Sequence, residues 1–190
     1  MTSLTRRTHS QNGRDVDIQS VVRRAQKDPR CFGEIYDVYV HRVYRFLYSQ
    51  GLSRVEADDV TAQTFLDALE ALPRYREQGQ FAGWLFSIAR NRMRDHFRTL
   101  SREKSLDEML EPLEHSSIPD RIDQQRMIDT LGVLIDRLEP AQLELLNLRY
   151  AADLTFREIA HVVEGNEEAV KKRLYRLVAS LRRQMEMECV

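Results

Sequence analysis

Cysteine is scarce: the 190-residue chain has two, Cys31 and Cys189, far apart and in no Cys-x-x-Cys pair. That scarcity argues against a disulfide framework and against a cysteine-built zinc site. The five histidines, His9, His41, His96, His115 and His161, stand at no metal-ligand spacing either, so neither metal nor cofactor is expected. No apolar run approaches the ~18 residues of a membrane span, and the N-terminus lacks a signal-like apolar stretch. A reduced cytoplasmic protein without membrane insertion is the expectation. Gly-rich phosphate loops and a nucleophile paired with a base are missing too, which leaves an enzyme reading without support. β-branched runs and Asn-Gly or Asp-Gly turns are nearly absent from the apolar segments, so strands are not expected.

An excess of positive charge is also lacking. The formal net charge is −1, where a dedicated DNA-binding domain is often strongly basic. The charge is nevertheless clustered. Arg74 to Arg98 holds six arginines against Glu77 and Asp95, and Lys171 to Arg183 holds six cations and no acid. Local patches, and not the total, decide phosphate affinity.

What is present is helical periodicity. Residues 1–14 are polar, basic and aperiodic, and are expected to form a disordered tail. From Asp17 the pattern turns helical, and Phe32, Ile35, Tyr36, Tyr39, Val43, Phe46 and Leu47 recur at steps of three and four until Gly51. Ser53 and Glu56 have capping-box spacing. In the helix they open, Ala57, Thr61, Phe65, Ala68 and Leu69 face inward, while Asp59, Gln63, Leu66 and Glu70 form an outward stripe. Pro73 closes that helix and a basic polar loop follows.

Residues 84–98, WLFSIARNRMRDHFR, carry two apolar arcs when placed at about 100° per residue. Trp84, Leu85, Ile88 and Ala89 share one, and Phe86, Met93 and Phe97 the other; core packing is the first reading of Trp84, Phe86 and Phe97. Between the arcs lies a stripe of Ser87, Asn91, Arg94 and Arg98, with Arg90 at its border. Two buried faces and one cationic, amide-bearing face describe a packed helix that presents something to an anion.

Residues 100–126 lose this regularity and turn acidic, as a flexible linker between domains would. Four further helices are expected from Met127 onward, the second opening on Pro140. The last two have helix-turn-helix grammar. Thr155 and Glu158 form a second capping box, Gly165 suits a tight turn, and Asn166 can cap a long helix whose Val170, Leu174, Leu177 and Leu181 face the core. Lys171, Lys172, Arg173, Arg176 and Arg183 make that helix cationic, with small Ala169 and Ala179 on a face narrow enough for a major groove. The expected architecture is all-α, with two small helical domains at 15–99 and 127–186 joined by the acidic linker.

The stretches VEADDVTAQTFLDAL, FAGWLFSIARNRMRDHFR and LNLRYAADLTFREIAHVVEGNEEAVKKRLYRLVASLR, in this order, resemble bacterial RNA polymerase sigma factors of the extracytoplasmic-function (ECF) type. The resemblance implies a region 2-like bundle followed by a region 4-like helix-turn-helix domain. It implies contact with core polymerase through the β′ clamp helices at Asp59, Gln63, Leu66 and Glu70, and with the β flap through the second domain. It places the −10 element on Arg76, Phe81, Ser87, Arg90, Asn91, Arg94 and Arg98, with the loop from Arg76 to Phe81 receiving a flipped base. The −35 element falls on Lys171, Lys172, Arg173 and Arg176, and an anti-sigma partner is implied. Two positions depart from the family pattern: Ala62 replaces a glutamine in the clamp-binding motif, and Glu164-Gly165-Asn166 replaces Gly, an apolar residue and Ser at the turn. The competing reading is a two-domain helix-turn-helix regulator that does not bind polymerase as a sigma factor, and it leaves the Ser87, Asn91, Arg94 and Arg98 stripe without a task. An anti-sigma protein would be expected to lack a basic groove and often to carry a His-x-x-x-Cys-x-x-Cys motif, which this chain does not have.

Overall fold

The computed structural model of the protein describes residues 17–76, 79–103 and 122–188. Among them lie eight α-helices and no strand: α1 (Ile18–Lys27), α2 (Phe32–Ser49), α3 (Arg54–Ala71), α4 (Phe81–Glu103), α5 (Ile122–Asp136), α6 (Pro140–Tyr150), α7 (Phe156–Val162) and α8 (Glu167–Glu188). The expected tail, 1–14, lies outside the described residues, as does most of the expected linker. Helix α4 runs on to Glu103 and α5 begins at Ile122, so helix occupies both ends of the segment read as linker.

Helices α1 to α4 bury the periodic residues. Phe32, Ile35, Tyr39, Val43, Phe46 and Leu47 of α2 are buried, and α2 stops at Gly51, whose φ of +95° suits a residue without a Cβ. The Ser53–Glu56 capping box forms as its spacing predicts. Glu56 Oε2 accepts from the Ser53 N–H at 2.8 Å and Ser53 Oγ accepts from the Glu56 N–H at 3.3 Å. On α4, Leu85, Phe86 and Ala89 are fully buried and Met93 nearly so. Phe86 meets Phe46 edge to face with centroids 5.6 Å apart, and burying such a ring stabilises the fold by about 2–3 kcal/mol. Phe97, expected on the same apolar arc, is instead exposed and leans on His96.

The second half adds a small cluster of Leu134, Leu177 and Leu181, flanked by Leu138, Leu146 and Met185. Its other apolar residues do not form a core of their own. Leu145, Leu148, Ala152, Leu154, Ile159, Ala160, Val162, Val170 and Leu174 are continuous with the core of α1 to α4. The two expected domains thus pack face to face, with α7 lying against α4. Position 83 makes this approach possible: a Cβ there would stand 3.1 Å from the Glu158 carbonyl oxygen and 3.3 Å from Glu158 Cα.

The turn between α7 and α8 differs from the expectation for Gly165. The left-handed residue is Glu164, with φ +54°. The Gly165 N–H donates to the Ala160 carbonyl at 2.8 Å and the Glu164 N–H to that of His161 at 3.3 Å, the paired bonds of a Schellman ending. Glu164 therefore occupies the position where glycine is usual, and Gly165 follows one residue late. Asn166 caps α8, its Oδ1 accepting from the N–H groups of Glu168 at 2.9 Å and Ala169 at 3.3 Å. A side chain in the left-handed region costs roughly 1 kcal/mol, partly offset in Glu164→Gly by the greater freedom of the unfolded chain. Glu164→Gly should therefore stabilise the protein by about 0.5 kcal/mol in thermal or urea unfolding, and a loss of stability would show that the carboxylate itself supports the turn.

Candidate functional site

The outward face of α3 is open. Asp59, Gln63, Leu66 and Glu70 are all exposed, as is Ala62 between them. Leu66 is 55% exposed and Val55, one turn before Asp59, is 71% exposed. Val55 was not singled out in the sequence, because a lone apolar residue after a cap carries no periodic signal. Asp67, one residue off the stripe, is bound by both Nε and Nη2 of Arg92, so α3 and α4 are braced together. Glu56 adds a second brace, its Oε1 lying 3.1 Å from His96 Nε2. Hydrogen bonds from Ser53, first from its side chain and then from its backbone, hold the Glu56 carboxyl below its ordinary range; burial opposes this and His96 adds to it.

On α4 the structure divides the expected −10 residues. Asn91, Arg94 and Arg98 lie on an open face, Arg98 pairing with Asp95 at 2.8 Å. Ser87 is half-buried and donates to the Gly83 carbonyl at 2.9 Å. Arg90 is not on the open face. Its guanidinium grips Glu144 of α6 through Nε at 2.6 Å and Nη2 at 2.9 Å, and donates to the Val162 carbonyl at 3.1 Å. Only 11% of the Arg90 side chain and 13% of that of Glu144 are exposed. In this arrangement Arg90 faces the second half of the protein.

Arg76 is exposed at the loop before α4, but Phe81 is buried, 3% exposed, in a ring cluster with Tyr39, Tyr75 and Trp84. Phe81 therefore underlies the loop and offers no free face to a base. Half-buried Trp84 packs on Tyr75 with centroids 4.7 Å apart, in keeping with its core reading. Gln26 of α1 ties the loop down, donating through Nε2 to the Leu72 carbonyl at 3.1 Å and the Tyr75 carbonyl at 2.7 Å. Nothing in the sequence around Gln26 indicates this role, since its partners lie some fifty residues away.

The cations of α8 share one outward arc. Lys172, Arg173 and Arg176 are exposed and Lys171 is half-buried. Tyr175 sits on the same arc, 55% exposed and edge-on to Phe156. Arg173 and Arg176 also line a groove of about 770 Å³ shared with Arg137, Gln142, Ser180 and Gln184. Arg137, on the turn between α5 and α6, extends the cationic rim and was missed because it stands alone in an acidic stretch.

A Sigma-70 region 2 model matches residues 35–103 and a Sigma-70 region 4 model matches residues 128–181. The chain belongs to the sigma-70 family of RNA polymerase sigma factors, and its relatives are of the ECF type. Over 175 residues it is 35% identical to the ECF RNA polymerase sigma factor BldN of Streptomyces coelicolor, a match covering 87% of this chain and 65% of the relative. It thus spans about two thirds of that relative's length. Over 144 residues it is 28% identical to the ECF sigma factor SigM of Bacillus subtilis, covering 75% of this chain and 88% of that one. Its fold is similar to that of CnrH in complex with the cytosolic domain of CnrY, with a TM-score of 0.63 at 24% identity over 89% of this chain and 97% of that one. It is also similar to that of RpoE in complex with the anti-sigma factor NepR from Bartonella quintana, with a TM-score of 0.62 at 19% identity over 82% and 96%.

The Glu56 brace yields a pH prediction. A carboxyl whose pKa is depressed on folding contributes stability that is present above its unfolded value, near ~4.3, and is lost as pH falls through its folded value. Glu56→Gln keeps the capping geometry but removes the charge. It should flatten the stability–pH curve below about pH 4.5 while leaving the slope between pH 6 and 8 unchanged, as read by urea unfolding at each pH. Parallel curves for the two proteins would show that the charge contributes nothing.

Proposed function

We propose that the protein is a transcription initiation factor that binds core RNA polymerase, directs it to promoters by reading their −35 and −10 elements, and assists strand opening under the control of an anti-sigma partner. It is not an enzyme, and it works in the cytoplasm; no described helix is long and apolar enough to cross a membrane. The observation that carries this reading is the pairing of two exposed stripes on braced neighbours. Asp59, Gln63, Leu66 and Glu70 of α3 offer a mixed acidic and apolar strip to the β′ clamp helices, and Asn91, Arg94 and Arg98 of α4 offer an amide and two cations to DNA beside it.

Opening a duplex costs a few kcal/mol per unstacked base, and a factor without ATP recovers that cost by holding the separated strand. Arginines neutralise its phosphates, and a pocket with amide or aromatic groups keeps an extruded base out of the stack. Arg94 and Arg98 suit the first task, and Asn91 with the Arg76 loop suits the second. At the other end, Lys172, Arg173 and Arg176 would enter the −35 major groove with Lys171 at their flank. Arg137 would meet the adjoining phosphates. The β flap would take the apolar groove of about 800 Å³ lined by Leu131, Ile135, Leu146, Tyr150, Leu181 and Met185.

Run-off transcription with purified core polymerase on genomic fragments should give discrete start sites only when the protein is added. On a promoter found this way, Asn91→Ala and Arg94→Ala should reduce permanganate reactivity of −10 thymines by about tenfold or more, equivalent to at least ~1.4 kcal/mol. Duplex binding and far-UV circular dichroism should stay close to those of the parent. Start sites no different from background would rule out the sigma reading. Normal opening by both variants would leave α4 a structural strut and favour a regulator acting through duplex DNA alone.

Arg176→Ala tests the other surface. It should weaken binding to −35 duplex by about 1–3 kcal/mol if the guanidinium reads a base edge. An equal loss on every sequence would assign it to phosphate positioning.

A further inference from the structure

We infer that the face-to-face packing of the two halves is a self-masked resting state of the free factor, latched by Arg90 and Glu144, which must part before the promoter is read. This rests on the sigma reading above, but its physical part stands on the interface alone. Helix α7 lies along the first turns of α4: Glu158 and His161 crowd Gly83, and the Val162 carbonyl takes a hydrogen bond from Arg90. The same helix row continues to Arg94, so α7 and α6 cover the N-terminal part of the cationic stripe and leave Asn91, Arg94 and Arg98 outside.

Glu144 holds Arg90 as a phosphate would. The bidentate carboxylate–guanidinium pair has the geometry that also suits an arginine to a phosphodiester, and Arg90 borders the face assigned to the −10 strand. Other contacts across the interface are also polar. Arg42 donates to the Ala152 carbonyl at 2.9 Å and the Asp153 carbonyl at 3.0 Å, and Asn147 donates to the Ser49 carbonyl at 2.8 Å. Water can replace each of these when the halves separate. Such a contact is suited to opening in a way that an all-apolar seam is not.

Reach requires the opening. Elements centred near −10 and −35 lie about 25 base pairs apart, or ~85 Å at about 3.4 Å per pair. Helix α4, the longest, spans about 35 Å, and in the closed form α7 touches it. One closed molecule cannot place α4 on one element and α8 on the other.

Two variants open the interface by independent routes. Glu144→Arg sets one guanidinium against another, and Gly83→Val drives a β-branched side chain into the backbone of Glu158. The full-length protein and both variants would be compared by circular dichroism, by small-angle scattering, and by binding to a short fluorescein-labelled single strand carrying the −10 sequence mapped in the run-off assay. The parent should scatter as a closed particle. Both variants should keep its helical signal, scatter as larger particles and bind the strand about tenfold tighter, because apparent affinity scales with the fraction of molecules that are competent. A parent that already scatters as an extended chain would overturn the proposal, as would opened variants that bind the strand no better. If neither variant folds, the parent decides alone: closed scattering that expands on adding the single strand supports masking, and closed scattering that stays unchanged at saturation overturns it. Scattering reports opening whether or not the run-off assay shows a sigma factor, so the two readings fail separately.

Discussion

The close approach of α7 to α4 is the contact on which the rest of the arrangement depends. Helix α4 is packed by α2 and α3 on one side, where Leu85, Phe86 and Ala89 disappear into the core. Its remaining surface would be a free cationic face if nothing else reached it. A side chain at position 83 would meet the Glu158 backbone at 3.1 Å, closer than side-chain carbons tolerate. With glycine there, the helices can approach, Ile159, Ala160 and Val162 join the first core, and Arg90 comes within reach of Glu144. One missing Cβ thus fixes which arginines of α4 face solvent and which face the second half.

Buried ion pairs are poor sources of net stability, because desolvating two charges cancels most of their attraction. They are costly to break one-sidedly, however, since the partner left behind stays buried and unpaired. The Arg90–Glu144 pair therefore contributes more to the choice between closed and open arrangements than to overall stability. The Arg92–Asp67 pair differs in kind. It joins α3 to α4 within the first half, where no rearrangement separates them, and it keeps the stripe of Asp59, Gln63, Leu66 and Glu70 in fixed relation to Asn91, Arg94 and Arg98.

Local features were legible in the sequence and long-range ones were not. The capping boxes at Ser53 and Thr155 form because both partners lie within one turn, and the inward residues of α2 and α3 follow from a 3.6-residue period. The outward stripe on α3 and the open part of the α4 stripe follow from the same period. By contrast, Phe81 looked like a loop aromatic, and only its contacts with Tyr39, Tyr75 and Trp84 show it to be core. Arg90 could not be told from Arg94 by position, because Glu144 lies fifty-four residues away. Gln26 has polar neighbours and distant partners, so no pattern announced it. The glycine of the α7–α8 turn was read as the left-handed residue from its identity, whereas the hydrogen-bond register assigns that conformation to Glu164.

That register bears on how α8 presents its cations. The family pattern has glycine at the position Glu164 fills, and the Schellman bonds are made there regardless, from the N–H groups of Glu164 and Gly165. The turn therefore keeps its geometry and Asn166 keeps its place as cap. The phase of α8 is set from that cap, with Val170, Leu174, Leu177 and Leu181 inward and Lys172, Arg173 and Arg176 outward. The departure at Glu164 costs backbone strain and adds a carboxylate at the helix entrance, ahead of Glu167 and Glu168. Those three acids sit where the helix dipole favours negative charge and where approaching phosphates would meet repulsion. Binding through α8 is thereby confined to geometries that bring Lys172, Arg173 and Arg176 to the DNA while keeping the helix start clear of the backbone. A chain with a net charge of −1 can in this way hold nucleic acid by two cationic faces and still avoid binding it indiscriminately.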